Sequence, residues 1–218
     1  MTTLFLIRHA ATDFVKDGKL AGRLPEVHLN GEGRQQAERM AARMARVKLD
    51  AIYSSPLERA VETADYIARS RELAIQTREG LNEMDCGTWT DQKIDDLSKT
   101  DEWRMFQIYP SGARPPQGET GGQMQMRAVR EVEALCAAHP EGAIAIVSHA
   151  DPIKAIVAHY AGLHLDLFQR LIVSPASVTV IWTGPWGPRL LRLNDAGPLE
   201  DIQLPKPAEK SAPEKKEG

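Results

Sequence analysis

Thr3-Leu4-Phe5-Leu6-Ile7-Arg8-His9-Ala10 is a short apolar run that stops abruptly at two polar residues. A continuous apolar segment of this length reads as a strand buried on both faces, as in a parallel sheet. The polar residues at its carboxyl end then fall on the edge where such sheets bind ligands. The same grammar recurs twice. Ala51-Ile52-Tyr53 ends at Ser54-Ser55, with Arg59 close behind, and Ala143-Ile144-Ala145-Ile146-Val147 ends at Ser148-His149. Three strands thus deliver histidine, arginine and serine to what should be one edge.

The segments between these strands read mainly as helices and loops. Residues 12–30 lack periodicity and hold Gly18, Gly22 and Pro25, which makes them a loop. Asn30 is a suitable N-cap, and Ala37, Met40, Ala41, Met44 and Val47 mark one apolar helical face. Pro56 sits where a helix over residues 57–69 should begin. Residues 73–77 form a further strand candidate, residues 91–98 a short polar helix, and residues 110–118 a Gly- and Pro-rich loop. Helices are expected over residues 121–138 and 152–161. Residues 178–182 and 190–193, separated by a Gly/Pro turn, read as a hairpin, with 178–182 as a candidate exposed edge. Alternating strands and helices predict an α/β fold: a three-layer sandwich whose mostly parallel sheet is flanked by helices on both faces. The expected domain spans residues 1–204. The Pro-, Lys- and Glu-rich residues 205–218 should form a disordered tail.

Composition narrows the function classes. The 218 residues carry a formal net charge of −3, which gives no bulk attraction to nucleic acid or anionic membrane. The only cysteines, Cys86 and Cys136, form neither a disulfide framework nor a CxxC pair, which suits a reducing compartment. The N-terminal stretch lacks the basic start and long apolar core of a signal peptide, and no apolar run approaches the roughly 20 residues that span a bilayer. The expectation is a cytoplasmic protein, monomeric or homodimeric, that acts on a small molecule.

The edge residues suit phosphoryl transfer. Such a site needs fork-shaped cationic donors for the non-bridging oxygens, an in-line nucleophile and a proton donor for the leaving group. Arginine supplies the first, a neutral imidazole the second, and a carboxyl group of raised pKa the third. The order of motifs also resembles the histidine phosphatase superfamily, which includes the cofactor-dependent phosphoglycerate mutases. Leu6-Ile7-Arg8-His9-Ala10 is similar to its Arg-His-Gly signature. Ser54-Ser55-Pro56-Leu57-Glu58-Arg59-Ala60-Val61-Glu62-Thr63-Ala64 is similar to its second signature, with the signature's arginine at Arg59. Glu83-Met84-Asp85-Cys86-Gly87-Thr88-Trp89 resembles its acidic segment, Gly118-Glu119-Thr120 its Gly-Glu-Ser/Thr step, and Val147-Ser148-His149-Ala150 its late Ser-His-Gly signature. The five occur in the family's order and cover roughly residues 3–183.

The resemblance implies that His9 attacks phosphorus and becomes phosphohistidine. Arg8, Arg59 and His149 would hold the phosphoryl oxygens, with Thr12 and Ser148 as further donors. Glu83 would protonate the leaving alkoxide and then activate water. Arg23 would stand near the mouth and steer an anionic substrate. No metal or cofactor enters this scheme. The implied activity is a phosphomonoesterase for a small phosphorylated metabolite. Two alternatives stand beside it: phosphoglycerate mutase-type transfer, and a non-catalytic module that binds phosphorylated ligands. Ala11 stands where many members carry glutamate and Val15 where the mutases carry asparagine, which favours the phosphatase. Ala10 and Ala150 replace the usual glycines after each histidine. Other phosphatase chemistries lack their motifs: neither cysteine is followed by arginine at the sixth position, and there is no DxDx[TV] or GxxxxGK[ST] segment.

Overall fold

Side chains alternate across a strand, and the first strand, β1 (Thr2–Arg8), uses both of its faces. In the computed structural model, which describes residues 1–197, Leu4 and Leu6 point into one core and Phe5 and Ile7 into another. A strand of this kind must be covered on both sides, and the chain supplies the covers. Helix α1 is a single turn (Asp13–Lys16). Helices α2 (Gly31–Met44) and α3 (Glu58–Ala68) flank strand β2 (Ala51–Ser54) in sequence. Strand β3 (Ile75–Thr77) follows, then the short helices α4 (Ile94–Leu97) and α5 (Asp101–Ile108). Helix α6 (Gly121–Ala138), strand β4 (Ala143–Ser148), helix α7 (Ala150–Ala161) and the hairpin β5 (Val178–Gly184) and β6 (Gly187–Asp195) complete the order.

Ala37, Met40, Ala60, Ala64 and Ile67 of α2 and α3 pack on Ile7, Ile52, Ala145 and Val147. Ala128, Val132, Ile153 and Ile156 of α6 and α7 pack on Leu4, Leu6, Ile144 and Ile146. Truncating one of the larger of these buried chains, such as Ile52 or Ile146, to alanine should cost about 2–5 kcal/mol. The result is the expected three-layer sandwich. Its six strands run in the order β3-β2-β4-β1-β5-β6. The first four are mutually parallel, and β5 and β6 add antiparallel at one side.

This order positions the site. Strand β4 lies between β1 and β2, with Arg8 opposite Ser148 and Ser54 opposite Val147. The three polar strand ends are therefore neighbours on one edge.

Several elements differ from the sequence reading. The strand over 73–77 shortens to β3, and the helix over 91–98 shortens to α4. Helix α3 starts after Pro56, with Leu57 as its N-cap, and α7 starts at Ala150, two residues before Pro152. Two elements were not expected: α1 inside the loop of residues 12–30, and α5. Both are capped by threonine. Thr12 accepts from Val15 N and Thr100 from Trp103 N. Strand β5 is not an exposed edge: it is sandwiched between β1 and β6, and β6 takes the edge. The domain boundary at 204 and the tail 205–218 lie outside the described residues.

One close contact ties α2 to the site. A Cβ placed on Gly33 would lie 1.9 Å from the Ala11 carbonyl oxygen. Glycine inside a helix usually costs about 1 kcal/mol relative to alanine, so the ordinary expectation for Gly33→Ala is a gain. Here we expect the opposite sign, a loss of about 2 kcal/mol from forced displacement of the Ala11 backbone. Chemical denaturation of the variant checks this; a stabilised Gly33→Ala would show that the contact is not constraining.

Candidate active site

His9 follows directly from β1 and is 4% exposed. Its backbone N–H donates to Ser148 O at 2.9 Å, which ties it to the end of β4. Its Nδ1 lies 2.8 Å from the Ala10 carbonyl oxygen. A carbonyl only accepts, so Nδ1 carries the proton and Nε2 is left with a free lone pair. Burial, together with the charges of Arg59 and Arg8, pushes the His9 pKa well below its usual value. The ring is thus neutral at physiological pH. The neighbouring chain is fixed too: Ala10 N–H donates to Thr63 Oγ1 at 3.0 Å, and Thr63 in turn donates to Arg59 O at 2.7 Å.

His149 N-caps α7 and is fully buried. Its ring meets that of His9 edge-on, with centroids 5.1 Å apart. Its Nε2 lies 2.8 Å from Ser55 Oγ, which places the serine after β2 behind the ring. Desolvation lowers the His149 pKa well below the usual range, helped by Arg59 and by the proximity of His9.

The two guanidiniums enter from β1 and α3. Arg8 Nη1 donates to Val173 O at 2.7 Å. Arg59 is 1% exposed, and its Nη2 donates to Gly22 O at 2.6 Å. Gly22 has a positive φ of 49°, a conformation that glycine adopts without steric cost. No carboxylate of the described residues pairs with either arginine within 4 Å. Among the described residues, six buried side-chain N or O atoms lack a partner, and four of them are Arg8 Nε, Arg59 Nε, Arg59 Nη1 and His149 Nδ1. Leaving buried polar atoms unpaired is costly, more so when they belong to charged groups. Their concentration beside one pair of imidazoles marks a place built to receive an anion.

Glu83 closes the group. It follows the turn of Glu79–Leu81, and its side chain remains 17% exposed, at the rim of the pocket. One carboxyl oxygen accepts from Met84 N at 2.8 Å, and the other lies 3.8 Å from His149 Nδ1. Burial and the nearby Asp151 charge push its pKa up to about 7, against the lowering effect of the Met84 N–H, Arg59 and Arg8. The carboxyl group is thus poised to be protonated or charged near neutrality.

His9, His149, Arg8, Arg59 and Glu83 therefore converge. The remaining sequence candidates are placed differently. Ser148 is fully buried, and its hydroxyl donates to Leu81 O at 2.7 Å, so it anchors the turn before Glu83 rather than facing the histidines. Thr12 is buried, and its hydroxyl oxygen accepts from Val15 N at 3.3 Å in capping α1, a contact that leaves the hydroxyl proton free to donate. Arg23 does reach the rim, but it binds protein groups there: Nε donates to Glu83 O at 2.8 Å and Nη2 to Glu119 Oε1 at 2.9 Å. Ser55 and Thr63 join the site without a role having been expected of either, and Arg127 is a part of it with no sequence signal. Ser55 lies in the quoted strand-end motif, which was a usable signal. Arg127 binds main-chain carbonyls, which leave no mark in sequence, and the Glu119 carboxylate. No three His, Cys, Asp or Glu side chains among the described residues group as metal ligands. No helix among them is long and apolar enough to cross a membrane.

Comparison with known proteins agrees with this geometry. The chain is 28% identical over 196 residues to phosphoserine phosphatase 1 of Hydrogenobacter thermophilus, covering 89% of this chain and 92% of that one. It is 29% identical over 183 residues to the 2,3-bisphosphoglycerate-dependent phosphoglycerate mutase of Thermoplasma acidophilum, covering 83% and 87% respectively. Its fold superposes on the phosphoserine phosphatase of Entamoeba histolytica solved in complex with phosphoserine, with a TM-score of 0.83, 26% identity, and 90% and 98% of the two chains covered. The family model of the histidine phosphatase superfamily (branch 1) matches residues 4–196, and the chain belongs to that superfamily.

Proposed function

We propose that the protein is a phosphomonoesterase that hydrolyses a small phosphorylated metabolite through a phosphohistidine at His9. The observation that carries the reading is the neutral His9 ring. Its proton is held on Nδ1 by the Ala10 carbonyl, and its free Nε2 stands near unpartnered guanidinium N–H groups of two arginines and the unpartnered Nδ1 of a second histidine. In the first step the Nε2 lone pair forms a bond to phosphorus as the bond to the leaving oxygen breaks. Glu83 gives its proton to that oxygen. Arg8 and Arg59 take the charge of the non-bridging oxygens, joined by His149 Nδ1 in the tautomer where Ser55 O–H donates to Nε2 and leaves the ring proton on Nδ1, each oriented donor contributing ~3 kcal/mol where it acts mainly in the transition state. In the second step water attacks phosphorus, the Glu83 carboxylate accepts the water's proton, and the P–N bond breaks to return neutral His9 and free phosphate.

A small metabolite as substrate fits the phosphoserine phosphatase likeness. The unpaired thiols of Cys86 and Cys136 suit a reducing compartment, and we place the protein in the cytoplasm. A mutase reading has one observation in its favour, the likeness to the Thermoplasma mutase. It shares the first step and differs in whether water or a second hydroxyl receives the phosphoryl group. Incubation with 3-phosphoglycerate separates the two. We expect free phosphate to be the dominant product from any substrate accepted; predominant formation of 2-phosphoglycerate would replace hydrolysis by isomerisation.

The pH dependence follows from the two reacting groups. Glu83 must carry a proton in the first step, and its pKa is raised to about 7, so the rate is lost as pH rises through that value. His9 must be unprotonated, and its pKa is lowered, so its protonation removes activity only well below the usual histidine range. For an alkyl phosphate, corrected for the substrate's own ionisation, kcat/KM should fall tenfold per pH unit above about 7. Glu83→Gln should be slower by roughly 100-fold or more and lack that alkaline limb. An unchanged limb in the variant would remove Glu83 from the acid role.

A further inference from the structure

Glu119 and Arg127 take no part in the chemistry above, yet together they grip the segment that carries Glu83. Arg127 projects from α6. Its Nη1 donates to Gly80 O at 3.0 Å and to Asn82 O at 2.7 Å, and its Nη2 donates to Glu83 O at 2.9 Å. The same guanidinium binds Glu119 through both carboxylate oxygens: Nε to Oε2 at 3.0 Å and Nη2 to Oε1 at 2.6 Å. Glu119 Oε1 also accepts from Asp85 N at 3.0 Å and from Arg23 Nη2 at 2.9 Å. The main chain is therefore held on both sides of Glu83, by carbonyls before it and at it, and by an N–H two residues after it.

These contacts are demanding. One planar fork addresses three carbonyls and a bidentate carboxylate at once, a pattern that a lysine ammonium cannot reproduce. Burial opposes the charge on Glu119, but the hydrogen bonds and charge of Arg127, with the Asp85 N–H and Arg23, outweigh it and lower the pKa, so the carboxylate stays ionised. Among the described residues, the Glu83 carboxyl group accepts only one hydrogen bond, from Met84 N. Its carboxyl position is thus set mainly by where its backbone is held.

We propose that Glu119 and Arg127 form a positioning clamp that keeps the Glu83 carboxyl group beside His149 and aimed at the leaving oxygen, an inference that rests on Glu83 being the acid. Neither residue need touch the substrate. Loss of the clamp should therefore harm proton delivery while sparing the phosphoryl pocket of Arg8, Arg59 and His149, none of which depends on Arg127 for a hydrogen bond.

Leaving-group sensitivity tests this, because a leaving group that departs as a stable anion needs no proton. The readout is kcat/KM, which covers only the steps through departure of that group, for an alkyl phosphate and for p-nitrophenyl phosphate. Arg127→Met should lower the alkyl value by about 100-fold and the aryl value by less than about 5-fold. Arg127→Lys should fall on the same side, with only partial recovery. Glu119→Gln keeps the size of the side chain and supplies the same test if Arg127→Met does not fold; its alkyl-to-aryl ratio should also drop. Equal losses on both substrates in the folded variants would overturn the clamp, provided Glu83→Gln still separates the two substrates. If Glu83→Gln itself affects both equally, the acid assignment fails instead.

Discussion

The hydrogen bond from His9 Nδ1 to the Ala10 carbonyl is the constraint on which the site depends. It decides which nitrogen carries the proton, and so which one holds the lone pair. It does so inside a pocket where burial and two cationic neighbours keep the ring neutral. A histidine with the opposite tautomer would present an N–H to the incoming phosphoryl group and could only bind it. The bond holds because Ala10 is itself fixed: its N–H is held by Thr63 on α3, and the Ala11 carbonyl after it is pressed by Gly33 of α2. The α2/α3 layer thus acts on the chemistry through the backbone that follows β1.

The site is arranged ahead of any ligand, and that arrangement has a cost. Arg8 and Arg59 bury guanidinium groups with unpartnered N–H donors, and His149 leaves Nδ1 unpaired. Such groups destabilise a fold that holds them without an anion, by roughly 1–3 kcal/mol for each unsatisfied donor. The two apolar layers on either side of the sheet offset this. The same preorganisation means that little rearrangement is needed when charge develops on the phosphoryl oxygens. Glu83 obeys a different rule. It stands mostly buried with a small part of its side chain reaching solvent, and its proton is held loosely enough to leave and return near neutral pH.

Much of this was legible in the chain. The apolar runs before Arg8, Ser54 and Ser148 are unambiguous because a strand buried on both faces tolerates no polar interruption, and their abrupt ends announce the binding edge. The order of those strands, with β4 between β1 and β2, is what makes the ends neighbours, and no local signal in the chain announces it. Short elements were harder. Helices α1 and α5 occupy only 4 and 8 residues, too few for periodicity to show, although a threonine cap precedes each. The hairpin was read correctly but turned outward. Its two strands are similarly apolar, and only the structure shows that Val178 and Ile181 are buried while Leu190, Leu191 and Leu193 face solvent. The Ser148 hydroxyl donates to the Leu81 carbonyl, a backbone partner that cannot be seen in a sequence. For the same reason Arg127 passed as an ordinary charge on an amphipathic helix.

The claim that His9 carries the phosphoryl group is tested most directly by trapping it. Enzyme mixed with a turned-over substrate, denatured within milliseconds under alkaline conditions that preserve phosphohistidine, is digested and analysed by mass spectrometry. The account predicts one phosphoryl group on the peptide containing His9, absent from the His9→Ala protein. A phosphoryl group on another residue, or rapid turnover by a folded His9→Ala protein, would contradict it.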